Sequence, residues 1–187
     1  MAEVYAFLAD GFELVECLAV VDVLRRGRVD IQTVSITGNR VVTCSHGVPV
    51  TADKLWEEID ASDAKMLFLP GGKKGTDSLA VFKPLIDALK KAAADPDRRV
   101  AAICAAPSVL GQNGLLVGRE CTCYPGFEDK LIEAEYVPHK GVVTDGNITT
   151  ARGMGVSTDM GLELLALLRD RALSDTIKAQ IQHPDTL

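Results

Sequence analysis

Short apolar runs stopped by glycine, proline or aspartate alternate along the chain with longer segments whose apolar residues recur every three or four positions. Val4 to Ala9 is the first run, and Asp10-Gly11 ends it. Phe12 to Arg26 then carries Leu14, Leu18, Val21 and Leu24 at helical spacing, with Gly27 as a stop. Val29 to Ile36 alternates and predicts a second strand, and Arg40 to Thr51 predicts a hairpin with His46-Gly47 near its tip. Met66 to Leu69 predicts a buried strand closed by Pro70-Gly71-Gly72, and a helix follows Pro84 until Asp95-Pro96-Asp97. Val100 to Ile103 has the uninterrupted apolar character of a strand buried on both faces. Pro107 suits the first turn of a helix, which Gln112-Asn113-Gly114 would end. Cys121 to Cys123 reads as a short strand, and Val142–Thr144 and Ile148–Thr150 flank a hairpin turn at Asp145-Gly146-Asn147. Thr158 to Arg169 predicts an amphipathic helix built on Met160, Leu164, Leu165 and Leu168. Its pattern fades toward Gln182, and His183 to Leu187 reads as a loose tail. Strands alternating with helices predict a doubly wound α/β sandwich around a mainly parallel sheet. No linker or repeat divides the 187 residues, so one domain spanning 1–187 is expected.

Charge and cysteine usage narrow the partners. A net charge of −6 argues against a nucleic-acid backbone as the main partner. No apolar run is long enough to cross a bilayer, and Met1 to Leu8 lacks the basic start and cleavage site of a signal peptide. Five scattered cysteines, an odd count, suit a reducing compartment, which makes the cytoplasm the expected location.

The candidate chemistry gathers at Cys104, on the strand-to-helix turn at the carboxyl edge of the sheet, where open α/β folds bind ligands. A helix dipole and free N–H groups there favour thiolate; the competing reading is a cysteine packed as a small hydrophobe. Glu16 lies between Val15 and Cys17 in the helix after the first strand. A partly buried carboxyl with a raised pKa is one reading of it, and a solvated helix glutamate is the commoner one. The amides of Gly71-Gly72 and Cys104-Ala105 suit an oxyanion hole, or a plain βα turn. The glycine pair has the spacing of neither nucleotide-binding loop. None of His46, His139 and His183 neighbours Cys104 in sequence, and only His46 is a candidate for a cysteine–histidine dyad assembled from a distance. Cys121-Thr122-Cys123 lacks a second ligand pair, so no metal site is expected.

Several of these stretches together resemble the ThiJ/PfpI superfamily, most closely its branch containing Parkinson disease protein 7 and bacterial relatives. They are Asp10-Gly11-Phe12-Glu13-Leu14-Val15-Glu16, Asp22-Val23-Leu24-Arg25-Arg26-Gly27, Thr43-Cys44-Ser45, Leu69-Pro70-Gly71-Gly72, Ala101-Ala102-Ile103-Cys104-Ala105-Ala106-Pro107, Tyr124-Pro125 with Asp129-Lys130, and Thr150-Ala151-Arg152-Gly153. The resemblance implies a flavodoxin-like fold and a homodimer. It makes Cys104 the nucleophile, on a strained turn, and Glu16 the carboxyl that hydrogen-bonds its sulfur. Gly72 and Ala105 would supply oxyanion-hole amides, and Gly71, Tyr124, Arg26 and His46 would line the substrate pocket. No cofactor or metal is implied. The implied activity is a glyoxalase or deglycase acting on methylglyoxal, glyoxal or their early adducts, nucleic acid entering only as a repair substrate. The alternative is a redox-sensing stress-response protein or holdase that uses oxidation of the same cysteine. Ala105 stands where the protease-like branch has histidine, which argues against peptidase activity. Tyr124 stands where some relatives carry histidine, and Met154 where proline is common.

Overall fold

The computed structural model describes residues 2–186; Met1 and Leu187, the outer ends of the N-terminal stretch and of the tail considered above, lie outside the described residues. Its elements in chain order are β1 (Val4–Leu8), α1 (Leu14–Arg26), β2 (Ile31–Ser35), β3 (Val41–Thr43), β4 (Pro49–Thr51), β5 (Lys54–Leu55), β6 (Met66–Leu69), α2 (Lys73–Val81) and α3 (Lys83–Ala94). They continue with β7 (Arg99–Ile103), α4 (Pro107–Gln112), β8 (Glu120–Cys121), β9 (Glu135–Tyr136), β10 (Val142–Asp145), β11 (Ile148–Ala151), α5 (Ser157–Leu168) and α6 (Arg171–Gln180). The main sheet has the order β10-β11-β7-β6-β1-β2-β5 and is parallel except for β10, which pairs antiparallel with β11. Both faces of its central strands are buried, as their unbroken apolar runs require.

Alternate residues of each strand feed two separate cores. Tyr5, Phe7, Leu67, Leu69, Val100 and Ala102 pack with side chains of α2, α3 and α4. Val4, Ala6, Leu8, Met66, Phe68, Ala101 and Ile103 pack against α1 and α5. After β1 the chain adds β2 on one side and later β6 on the other, so strand order reverses between β1 and β6. The carboxyl ends of β1, β6 and β7 therefore open into the crevice at the reversal point, where ligands of such sheets bind.

Several elements differ from the sequence expectation for identifiable reasons. The buried side of α1 carries Cys17, Val20, Val21 and Leu24, while Leu18 faces outward at 37% exposure. Close packing on α5 sets that rotation: Gly27 abuts Leu165, and Gly161 abuts Val23. Helix α2 has no apolar stripe to announce it; Gly75 lets it lie against the backbone of Phe12, where a Cβ would approach to 2.8 Å. Helix α6 is separate from α5, and Asp170 caps it by accepting from the Leu173 N–H at 2.8 Å. The tail is docked: the His183 ring is only 11% exposed and lies 3.1 Å from the Asp159 carboxylate. The hairpin of β3 and β4, by contrast, forms as expected with His46-Gly47 between its strands.

Candidate active site

Cys104 follows β7 directly and adopts φ +65°, a left-handed conformation that side-chain-bearing residues occupy at a cost of about 1–2 kcal/mol. Hydrogen bonds on both sides hold it there. The Cys104 N–H donates to the Ala151 carbonyl at 2.9 Å, and its own carbonyl accepts from the Tyr124 N–H at 2.8 Å. The Ser108 hydroxyl donates to the Ala105 carbonyl at 2.7 Å, fixing the turn into α4, where Pro107 occupies the first position. Among the five free cysteines Cys104 is the one that is not fully buried.

Glu16, in the first turn of α1, is 1% exposed and faces this turn. Its Oε2 accepts from the Gly71 N–H at 3.0 Å, so that amide is committed to holding the carboxyl. A side chain at residue 71 would run into Glu16 and come within 2.6 Å of the Cys104 Cβ, which explains the glycine. Gly72 has φ +87°, and a Cβ there would collide with the backbone of Gly11 to Glu13. The N–H groups of Gly72 and Ala105 act on the Cys104 thiol, each pulling its pKa down. These are the two donors that could stabilise negative charge forming beside it.

Burial pushes Glu16 up to about 7; the Glu13 charge adds to this, while hydrogen bonding with Cys104, the Gly71 N–H and the Met154 N–H pulls it back. Burial and then the Glu16 carboxylate push the Cys104 thiol up to about 12, against the pull of the Gly72 and Ala105 N–H groups. The expectation that the helix start makes this thiol a ready thiolate is thus corrected. Helix α4 is only six residues long, and desolvation outweighs it. When Glu16 carries the proton the thiolate becomes less costly, because a neutral carboxyl removes the repulsion, although burial still opposes the charge. The two groups behave as one proton-sharing pair.

Beside the pair lies a cleft of about 400 Å³ lined by Tyr124, Pro125, Arg152, Met154 and Val156, with the Tyr124 ring packed on Gly153. Tyr124 is tied to Cys104 through its backbone N–H. Two residues assigned to the pocket are not brought to the sulfur. Arg26 ends α1, ten residues past Glu16 and so roughly 15 Å along the helix, paired with Asp22 at 2.6 Å. His46 stands at the hairpin tip with its side chain 78% exposed, its Nδ1 2.9 Å from the Ser45 hydroxyl. It meets Glu13, which accepts from Ser45 at 2.7 Å, and not Cys104. The Glu13–Ser45 pair escaped the sequence reading, because the contact spans 32 positions.

A polar groove between β10, α5 and α6 is slightly larger than the cleft, but its Arg171 and Glu163 satisfy each other at 2.8 Å and it lies away from Cys104. Asp159, His183 and Asp185 gather close enough to hold a cation, yet Lys178 already pairs with Asp185 at 2.9 Å. Neither place adjoins the cysteine.

Comparison with known proteins finds relatives in both sequence and fold. The model of the DJ-1/PfpI family matches residues 2–167. The chain is 38% identical over 163 residues to DJ-1 homolog B of Arabidopsis thaliana, covering 86% of this chain and only 37% of that protein. It is 32% identical over 149 residues to a deglycase of Pyrococcus abyssi, covering 79% and 87%. The structure of oxidized Toxoplasma gondii DJ-1 superimposes with a TM-score of 0.91 at 28% identity, covering 97% of this chain and 98% of that one.

Proposed function

Because the chain belongs to the DJ-1/PfpI family, we propose that it is a glyoxalase or deglycase needing no cofactor, with Cys104 as nucleophile and Glu16 as proton carrier. One observation carries this reading: a carboxyl 1% exposed, titrating near 7, faces a thiol held at positive φ. A group that titrates near the working pH can both give and take a proton. The similarity to a deglycase supports the choice of substrate class.

With methylglyoxal the Cys104 sulfur adds to the aldehyde carbon, and the electron pair of the C=O bond moves to oxygen. The Gly72 and Ala105 N–H groups stabilise that oxygen, and Glu16 gives it a proton. The Glu16 carboxylate then removes the hydrogen from the same carbon, and a proton returns to the neighbouring carbon. The product of this isomerisation is a lactoyl thioester on Cys104. Water cleaves the thioester, releasing lactate and restoring the thiol. Glyoxal gives glycolate by the same steps, and an early adduct gives the hydroxy acid and the freed amine or thiol. The cleft of Tyr124, Pro125, Arg152 and Met154 receives the remainder of an adduct.

A second reading has its own support: a protonated Glu16 donates equally well to an oxidised sulfur, and oxidized DJ-1 is among the similar structures. There Cys104 would stop at the sulfinate and act as a sensor. The expected assembly is a homodimer in the cytoplasm. Supporting the dimer, Val15 at 46% and Leu18 at 37% exposure are outward apolar side chains near the start of α1. Among the described residues no helix is long and apolar enough to cross a membrane. Steady-state hydroxy-acid formation from methylglyoxal and from glyoxal tests the proposal, with Cys104→Ser as control. Turnover by the wild type and none by the control is expected; activity that survives in the control would overturn it.

A further inference from the structure

We propose that Arg99 and Arg119 form a second binding site, for the phosphate group of a small organic phosphate, on the edge of the sheet opposite Cys104. Arg99 opens β7 and Cys104 follows its last residue, so the two places lie roughly 17 Å apart along one strand. The arginines line a cavity of about 370 Å³ between the end of α3, the segment before β8 and the β10–β11 turn. Nothing in this site depends on the chemistry assigned to Cys104 and Glu16.

Charge singles the place out. Acidic residues outnumber Lys and Arg by 26 to 20, and Arg25, Arg26, Arg40, Arg169 and Arg171 each pair with a carboxylate. Arg98 spends its guanidinium on the Ala61 and Ala64 carbonyls. Arg99 and Arg119 are half-buried, yet among the described residues neither pairs with a carboxylate. Two cations lining one cavity repel each other, and an anion between them removes that cost.

Arg119 is held in place from behind. Its Nη1 donates to the Asp145 carbonyl at 3.0 Å and lies over Gly146, where a Cβ would come within 2.6 Å of that nitrogen. A guanidinium has five N–H donors in a rigid fork, so the others stay free for a ligand. Neither arginine is needed to close α3. The Asn147 side-chain amide takes that role, donating to the carbonyls of Ala92, Ala93, Asp95 and Arg98 at 3.0–3.3 Å. Guanidinium forks match phosphate oxygens, and two positive charges match a phosphate dianion better than a single carboxylate. Ala93 and Pro96 give the cavity an apolar wall, and its volume leaves room beside the phosphate for a short organic part.

Glycerol phosphate and propionate, titrated separately into nitrogen-15-labelled wild type at pH 8 and constant ionic strength, test the site through backbone amide NMR signals. The rate of Cys104 alkylation by iodoacetamide is measured on the same samples. Glycerol phosphate should shift the Arg119, Gly146 and Asn147 signals saturably, propionate should bind about tenfold more weakly or worse, and alkylation should not change. Arg99→Gln and Arg119→Gln should each weaken glycerol phosphate about tenfold or more, the worth of one charge-assisted contact. Lys83→Gln makes the same change of charge at the far end of α3 and should bind as wild type.

Signals that never saturate overturn the site. So does a Lys83 variant that loses as much as the arginine variants, because overall charge then explains the response. Alkylation slowed by glycerol phosphate would put the anion at the Cys104 turn instead, and propionate binding as tightly as glycerol phosphate would defeat the phosphate assignment. Should Arg119→Gln not fold, Arg119→Lys keeps the charge, loses the fork and is expected to weaken binding too. The wild-type shift map judges the site without either variant.

Discussion

Replacing Glu16 by glutamine should make the protein more stable and less useful, by amounts the structure specifies. Burial holds Glu16 near 7, against 4.5 for an ordinary glutamate. Below pH 4.5 the carboxyl is neutral in both folded and unfolded chains and costs nothing. Above it the unfolded chain ionises while the folded one keeps its proton, so folding loses stability progressively up to about pH 7 and no further. The gap, at about 1.4 kcal/mol per pH unit, amounts to about 3 kcal/mol. Glutamine has the same shape, can accept from the Gly71 N–H through its oxygen, and carries no charge to bury. Urea unfolding of both proteins at pH 4 and pH 8 measures the difference. Glu16→Gln should match the wild type at pH 4 and exceed it by up to about 3 kcal/mol at pH 8. Turnover of methylglyoxal should fall ~10²–10⁴-fold, the usual cost of losing acid–base catalysis. Sulfinate formation under mild peroxide should persist, because the amide still donates. Equal stability at pH 8, or an equal gain at both pH values, would refute the buried carboxyl; wild-type turnover would remove Glu16 from the mechanism.

Substoichiometric iodoacetamide should label Cys104 first, since Cys17, Cys44, Cys121 and Cys123 are all buried; peptide mapping that finds another thiol ahead of it would contradict the site. Arg169→Ala should cost about 1–2 kcal/mol at pH 7, because Arg169 grips both carboxylate oxygens of Glu3 at 2.6 and 3.0 Å. Those bonds and the Lys65 contact lower the Glu3 carboxyl to about 2, so the stabilisation is present above pH 4.5 and lost as pH falls toward 2, and the variant's deficit should vanish in acid unfolding curves. Light scattering at micromolar concentration should give twice 20.0 kDa, and Val15→Asp should shift the population toward the monomer; a wild-type monomer would exclude the dimer.

The Cys104 turn was legible because its local signals lie within nine residues: an apolar run, a small-residue stretch and a proline at the first helical position. Glu16 was not legible from its surroundings. Its burial depends on Gly71, 55 positions away, whose missing side chain leaves the space the carboxyl fills. Helix α2 was invisible because Lys73 to Ser78 has almost no apolar residue; contact between Gly75 and Phe12 overrides local propensity. Periodicity placed Leu18 inside, and the approach of α5 to α1 turned Cys17 inward instead. His183 looked like part of a free tail until Asp159 of α5 was found beside it. The protonation of Cys104 was misjudged for a related reason. Helix position can be read from residue order, but desolvation and the facing carboxylate belong to the assembled fold.

The most direct test counts product against protein. Methylglyoxal in large excess, with no glutathione or other thiol present, is incubated with the wild type, and lactate is quantified beside the intact mass of the protein. The Cys104–Glu16 pair as described predicts many lactate molecules per chain, with Cys104 recovered unmodified at the end. At most one equivalent of aldehyde consumed, with the mass of an adduct left on Cys104 and no lactate released, would contradict it.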